Sequence, residues 1–402
     1  MELPQGFKEM LCELLGQPEA LLLEKELDEP PLTAIRLNRR KPGAEFEGMS
    51  PVPWCRSGYY LDKRPQFIFD PLLHVGAYYV QDPSSMIYET LVEKILKNHF
   101  YEDKDNKGIK HLKVLDLCAA PGGKTTAIIN ALPDGSEVVA NEYSRKRVGA
   151  LQENIDRWGY PYVSVTNRDS YYFASQGENF DIIAVDAPCS GEGMMRKEEM
   201  ARLQWSEELI DNCARLQRDI LDNAVKALKP GGVLIYSTCT FNRRENECNA
   251  EYIVKELGLK PIDMQLPEEW GIAKGIDTDL PVMRFMPHKT KGEGLFVSVF
   301  KKESLEQTIG TSCPVENESP RFKHIKGFQK VDKQPESTDF FRVEVDRADA
   351  IKYLRGESLV LDPVTPKGMV NICYKGYELG PAKNIGSRAN NLYPKNKRIR
   401  KQ

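Results

Sequence analysis

Between residues 113 and 239, short apolar runs alternate with stretches of helical period, and this alternation narrows the choice of fold more than any other feature of the chain. KVLDLCA (113–119) reads as a buried strand, GGKTTAIINAL (122–132) as a helix, SEVVANEY (136–143) as a second strand and SRKRVGALQENIDRWG (144–159) as a helix closed by Gly159. VSVTNRD (163–169), FDIIAVDAP (180–188) and GGVLIYSTC (231–239) are the third, fourth and fifth strands. Runs that are apolar on both faces are what parallel sheets bury. Alternating βα units with right-handed crossovers give a doubly wound α/β sheet. Leu209, Cys213, Leu216, Ile220, Ala224 and Leu228 predict a helix over 206–228, capped by Ser206, with Glu207 and Glu208 suiting its N-terminal dipole and KPGG (229–232) stopping it. VMRFMPHK (282–289) and GLFVSVFKK (294–302) read as a closing hairpin.

The flanks are simpler. Residues 303–338 are rich in Glu, Ser, Gln, Lys and Pro without period and read as a linker or irregular segment. DFFRVEVDR (339–347) alternates like a strand, and MVNICYKGYEL (369–379) like a hairpin around Lys375-Gly376, so a small β-rich C-terminal domain is expected. With 41% apolar and 29% charged residues the chain is neither disordered nor a disulfide-dense miniprotein. No run approaches a membrane span, and the acidic N-terminus is no secretory signal. Nine cysteines without a CxxC, and five scattered histidines, give no metal-ligand spacing. Free thiols without an export signal point to the cytoplasm.

A net charge of −3 excludes a polycation but not a local basic surface. Residues 379–402 carry Lys383, Arg388, Lys395, Lys397, Arg398, Arg400 and Lys401 and no acid. Such a tail is either a solvated end or an arm that meets phosphate. A second basic cluster is Arg36, Arg39, Arg40 and Lys41. Tyr78 and Tyr79 are either core or a stacking platform for bases.

In open α/β sheets, ligands bind beyond the carboxyl ends of the strands. Strand one runs into CAAPGGKT; strands two, three and four end at Glu142, Asp169 and Asp186; strand five ends in STCT with Cys239. GGKT resembles part of a phosphate-binding loop, but Cys118 stands where that motif needs glycine. Glu142, 19 residues after Gly123 at a strand end, suits a ribose instead. Cys118, inside a strand, and Cys213, on a helix face, read as small buried hydrophobes. Cys189 and Cys239 both directly follow strands at the ligand edge, beside Asp186 and Lys124, which suggests covalent attack on an electrophilic carbon. A cation such as Lys124 raises the thiolate fraction of a nearby cysteine.

DLCAAPGGKT, NEYSRKR, NRDS, DAPCSGEGM and KPGGVLIYSTCTF, in this order, resemble the Sun-type family of RNA (cytosine-5) methyltransferases. HVGAYYVQDPSSM (74–86) is similar to the segment preceding the catalytic domain in that family, and GPAKNIGSRANNLYPKNKR to the PUA-like domain ending its bacterial RsmF branch, which modifies ribosomal RNA. The resemblance implies a Rossmann-like class I S-adenosylmethionine-dependent methyltransferase sheet over 111–302, an N-terminal α/β RNA-binding extension over 1–110 and, after the 303–338 linker, a PUA-like RNA-binding domain over 339–402. It implies an S-adenosylmethionine site made by Cys118, Ala119, Ala120, Pro121, Gly122, Gly123 and Lys124, with Glu142 on the ribose, Asp169 on the adenine side and Asp186 near the methionine moiety and the target base. Cys239 is then the nucleophile, Cys189 assists product release, and Asp186 and Lys124 complete the catalytic set. Glu142 stands where many relatives have Asp; the longer carboxylate still reaches two hydroxyls. The implied product is 5-methylcytidine in 16S ribosomal RNA, formed through a covalent cysteine–cytosine adduct. The partner is RNA, as ribosomal RNA or the small ribosomal subunit, with no membrane and no metal. Transfer RNA as substrate, DNA, and a non-catalytic RNA-binding assembly factor are the alternatives.

Overall fold

The apolar runs become strands because each has two faces to bury. On one face of the central sheet Val114, Ile182, Ala184, Val233 and Ile235 share a core; on the other Leu115, Ile183, Val185 and Leu234 share a second. The computed structural model describes residues 2–100, 111–303 and 340–400; the expected linker, apart from Glu303, lies outside them.

The chain opens with helices α1 (Gln5–Leu15) and α2 (Gln17–Asp28). Strands β1 (Ala34–Leu37), β2 (Met49–Pro51) and β3 (Gly58–Leu61), the one-turn helix α3 (Pro71–His74), β4 (Tyr78–Val80) and helix α4 (Ile87–Ile95) follow. The four strands pair antiparallel in the order β2-β3-β1-β4.

The central region comprises β5 (Lys113–Asp116), α5 (Gly123–Ala131), β6 (Glu137–Asn141), α6 (Arg145–Trp158), β7 (Val163–Thr166), α7 (Ser170–Ala174) and β8 (Phe180–Asp186). It continues through α8 (Glu199–Gln204), α9 (Glu207–Ala227), β9 (Leu228–Thr238), α10 (Glu247–Lys255), β10 (Lys260–Pro261), β11 (Met283–Phe285) and β12 (Leu295–Lys301). The sheet order is β10-β12-β9-β8-β5-β6-β7, with β11 also pairing β12. Strands β5 to β9 run parallel and β12 antiparallel to β9. The direction of winding reverses at β5, between β6 and β8, and this opens the crevice at the strand ends.

Strands β13 (Phe341–Glu344), β14 (Gly368–Tyr374), β15 (Tyr377–Asn384) and β16 (Ala389–Asn391), with helix α11 (Arg347–Leu354), form the small C-terminal sheet. Its β14–β15 hairpin turns at Lys375 and Gly376, both at positive φ, as a two-residue turn requires. Tyr353, Leu354 and Ile372 share a core with Ile35, Leu72 and Tyr78, so this sheet packs on the N-terminal one.

The structure qualifies the expectation for α9, decides Tyr78 as core, and shows what the two basic clusters contact. Of the stripe assigned to α9, Ile220, Ala224 and Leu228 are buried and Leu209 and Cys213 half-buried, but Leu216 is 47% exposed and Ile210, Ala214, Gln217 and Leu221 join the buried face. Gln217 sets that face, because its amide donates to Glu245 and to the Pro188 carbonyl. The basic tail is tied to the C-terminal sheet at two points, while Lys383, Arg388, Lys395, Lys397 and Arg400 keep their side chains exposed. Lys383 lies in β15, Ile399 is buried and its amide donates to the Leu354 carbonyl, and Arg398 bonds the Tyr393 carbonyl. Tyr78 is core, its hydroxyl donating to Asp70, and Tyr79 leans on the Pro121 carbonyl. Of the basic cluster at 36–41 only Arg36 is buried; Arg39 and Arg40 lie at the surface but are engaged by the chain itself. Arg39 and Arg40 donate to the carbonyls of Ile129, Asn130 and Leu132, which the end of α5 leaves without helical partners. Arg36, fully buried, donates to the carbonyls of Gly123 and Thr126 and to Gln81. Lys41 holds the carbonyls of Val75 and Arg157, and burial pulls its ammonium down to about 8.

Candidate active site

The loop after β5 is built by a change of hydrogen-bond partner. The ladder stops at Asp116, and Asn141 at the end of β6 takes over, accepting the Ala119 amide and donating to the Leu117 carbonyl. Cys118 therefore lies in this loop and not inside the strand, half-buried, its thiol pushed up by burial. Ala119 and Ala120 are buried beneath it. The Ala120 and Pro121 carbonyls are held by Arg147 and by Asn154. Gly122 sits at φ +108°, where a side chain is strained, and α5 begins at Gly123.

Beyond the next two strands stand two acids. Glu142 is buried; one carboxylate oxygen accepts the Ser144 amide, while Oε2, 3.5 Å from Arg147, has no hydrogen bond. Asp169 lies three residues past the end of β7, exposed, and caps α7 by accepting the Tyr172 amide.

Asp186, the last residue of β8, meets Lys124 at 2.6 Å, and its other oxygen accepts from Ser237 at 2.7 Å. Tyr88 backs Ser237 at 2.8 Å. Burial alone would pull the Lys124 ammonium down; the Asp186 carboxylate outweighs it and raises the group, and the charge of Cys239 adds to this. Lys124 therefore stays a cation beside both Asp186 and Cys239.

The sulfurs of Cys189 and Cys239 lie 3.3 Å apart, and the Cys239 amide points at the Cys189 sulfur. The hydrogen bond to Cys239, then burial, pushes the Cys189 thiol well up. Cys189 is thus held as a neutral S–H against its partner. The structure thus brings Lys124, Asp186, Cys189 and Cys239 into one group, while Glu142 and Asp169 stand at the ends of the neighbouring strands and Cys213 sits half-buried on α9.

Sequence reasoning passed over three buried acids at this edge. Asp116 accepts from Thr125 at 2.6 Å, has one oxygen without a partner, and is raised by burial to about 7. Glu192 and Glu245 lie beneath the two cysteine loops. Nothing in a linear pattern marks an acid as buried, since charged residues are mostly exposed.

The buried oxygens Asp116 Oδ1 and Glu142 Oε2, neither of which accepts a hydrogen bond, fit a ligand that brings hydroxyl or N–H donors to the ends of β5 and β6. The helix that begins at Gly123 suits an anionic group at its N-terminus.

Family models described as "16S rRNA methyltransferase RsmB/F", "N-terminal domain of 16S rRNA methyltransferase RsmF" and "Methyltransferase RsmF PUA domain" match residues 106–301, 3–83 and 340–399. The chain is similar to ribosomal RNA small subunit methyltransferase F of Shewanella sp. (strain W3-18-1), with 30% identity over 92% of this chain and 90% of that protein. It is 35% identical to the protein of the same name from Shewanella amazonensis, over 67% of this chain. That match spans about half the length of the relative, 55% of it. A methyltransferase homologue from Pyrococcus horikoshii shares the fold, with TM-score 0.62 and 22% identity over 74% of this chain and 95% of that one. NSun6 from the same organism does so with TM-score 0.60 and 24% identity over 74% and 98%. The mixed α/β sheet, the N-terminal α/β region and the small C-terminal β sheet thus recur in known relatives, and this chain belongs to the RsmB/F family of S-adenosylmethionine-dependent 16S rRNA methyltransferases, on the RsmF branch that carries an N-terminal domain and a PUA domain.

Proposed function

We propose that this chain forms 5-methylcytidine in 16S ribosomal RNA in the cytoplasm, by attack of Cys239 on the target cytosine. The observation that carries the reading is the pair of sulfurs at 3.3 Å beside a lysine–aspartate pair at 2.6 Å, all at the sheet's ligand edge. Cys118 to Lys124, Glu142 and Asp169 would hold S-adenosylmethionine, with Glu142 Oε2 as the free acceptor for a ribose hydroxyl. When bound, that cofactor supplies a methyl group on a sulfonium.

Carbon 5 of cytosine is a poor nucleophile in an aromatic ring. Bond formation between the Cys239 sulfur and carbon 6 breaks the aromaticity and makes carbon 5 enamine-like, able to take the methyl group. Lys124, kept cationic by Asp186, supplies a fixed positive charge at the same edge as the two cysteines. Asp186 has Ser237 and Lys124 as fixed donors, so its carboxylate is oriented toward the base edge. After methyl transfer the carbon 5 proton must leave and the carbon–sulfur bond must break. The carbon 5 proton passes to water, the carbon–sulfur electron pair returns to the Cys239 sulfur, and Cys189, adjacent to that sulfur as a neutral S–H, assists by donating to the departing thiolate. The base must leave its stack to reach the crevice.

We assign residues 1–110 as an RNA-binding extension, 111–302 as the catalytic domain, 303–338 as a linker and 339–402 as a PUA-like RNA-binding domain. The small ribosomal subunit or its RNA is the partner, without membrane or metal. Among the described residues no helix is long and apolar enough to cross a membrane. The test is methyl transfer to 16S rRNA, read by bisulfite sequencing. Cys239→Ala should lower turnover by about 10³-fold or more, and Cys189→Ala should accumulate a protein–RNA adduct that survives denaturing gels. An adduct with Cys239→Ala instead would exchange the two roles, and a 5-methylcytidine gained only in transfer RNA would move the substrate.

A further inference from the structure

The two cysteines sit on separate loops, 50 residues apart, and one buried side chain ties the loops together. Glu192 lies three residues after Cys189 and is fully buried. Its Oε2 accepts the backbone amides of Phe241 at 2.7 Å and Asn242 at 2.9 Å, the second and third residues after Cys239. Its Oε1 accepts the Trp205 indole at 3.0 Å and the Asn242 side-chain amide at 3.1 Å. Four N–H groups on one carboxylate fix it in a single orientation.

Around this centre the loops are stitched further. Ser190 meets Thr240 at 2.8 Å, the Gly193 amide donates to the Cys239 carbonyl, and Glu245 accepts the Ser190 amide and the Asn242 and Gln217 side chains. The Cys239 loop also has anchors that do not involve Cys189. Arg284, paired with Glu247, donates to the Phe241 carbonyl, and Asn246 bonds Thr238 and the Thr240 carbonyl. Without Glu192 the Cys239 loop therefore keeps its place on β9, while the Cys189 loop loses the four-donor anchor at its centre and is held to it only by the Ser190, Gly193 and Glu245 contacts.

We infer that Glu192 is a positioning residue which holds the Cys189 thiol against Cys239 and so governs release of the methylated product rather than attack. The inference rests on the roles proposed above for the two cysteines and concerns a residue that touches neither base nor cofactor. It separates two steps: bond formation needs Cys239 alone, whereas elimination needs Cys189 within contact distance of the adduct. A misplacement of about 1 Å costs on the order of 10²-fold in a step that depends on geometry.

The experiment compares Glu192→Ala, Glu192→Gln, Cys189→Ala and the double variant Glu192→Ala/Cys189→Ala in the full chain, with 16S rRNA and labelled S-adenosylmethionine. Single-turnover methylation reads attack; steady-state turnover and the fraction of protein in denaturation-resistant adduct read release. Glu192→Ala should methylate once at a rate within about threefold of wild type, then turn over about 30- to 100-fold more slowly with adduct accumulating. Glu192→Gln, which keeps one oxygen for the two backbone amides, should recover part of the turnover. The double variant should be no slower than Cys189→Ala, because a residue acting through Cys189 has nothing left to position. Wild-type turnover in Glu192→Ala, equal losses in attack and release, no rescue by Gln, or additive losses in the double variant would each overturn the inference. Absence of any adduct in Cys189→Ala, with wild type active, would instead overturn the cysteine roles beneath it.

Discussion

The two halves of the crevice are finished to different degrees. On the side of β5 and β6, buried carboxylate oxygens of Asp116 and Glu142 have no hydrogen-bond partner. On the side of β8 and β9, the buried polar groups of Ser190, Glu192, Thr240, Asn242 and Glu245 are bonded to one another. An unsatisfied buried group carries a desolvation cost that a ligand can relieve, whereas a satisfied network resists rearrangement. The first half has the character of a receptacle and the second that of a pre-set chemical device. The difference suits the function proposed above, in which one half takes in and releases a molecule every turnover and the other holds two sulfurs at a fixed separation.

The largest effect expected from this contrast is on stability against pH. Burial raises the Asp116 carboxyl to about 7 from an ordinary value near 3.8. The folded state thus holds a proton that the unfolded state has lost between those values. Stability from this group is full below pH 4 and falls as pH rises to about 7, by on the order of 4 kcal/mol. Asp116→Asn should flatten that slope in urea melts run from pH 4 to 8. An unchanged slope would mean that the receptacle half carries no such cost.

Next in size, Glu142→Ala should weaken cofactor binding by about 10- to 100-fold, the worth of a charge-assisted hydrogen bond. Calorimetry reads the affinity, and kcat at saturating cofactor should stay within a few-fold. A fall in kcat alone would blur the division between the halves. The smallest effect concerns RNA affinity. Lys395, Lys397 and Arg400 are exposed, so replacing all three by Gln should reduce the salt slope of RNA binding by about 2 to 3, near one per phosphate contact. Point substitutions are needed here, because deleting the chain from residue 382 on would remove β16 and part of β15, and with them Ala382, Ala389, Tyr393 and Ile399 of the C-terminal core. A slope that does not move would place the RNA grip elsewhere.

The sheet and the candidate site were legible because they obey one-dimensional rules. Val114–Leu115 and Ile182–Val185 are apolar on both faces, and the polar residues that end those strands, Glu142, Asp186 and Cys239, stand where such sheets bind ligands. Apolar spacing does not find the whole buried face of α9 because one of its fully buried points is a glutamine, polar by type. The basic cluster at 36–41 shows charge in the sequence but not the carbonyls of α5 that Arg36 and Arg40 satisfy. Apolar character runs on through Cys118, whereas the strand ends at Asp116, where Asn141 captures the chain.

From residue order alone came the doubly wound sheet, the order of its strand ends and the two thiols at one edge, because hydrophobic period and strand length are local properties. Only the folded chain decided that those thiols touch, that Lys124 faces Asp186, and that Glu192 and Glu245 lie buried between the loops. Burial and hydrogen-bond pairing join residues far apart in sequence, and no local pattern encodes which distant donor will satisfy a given acid.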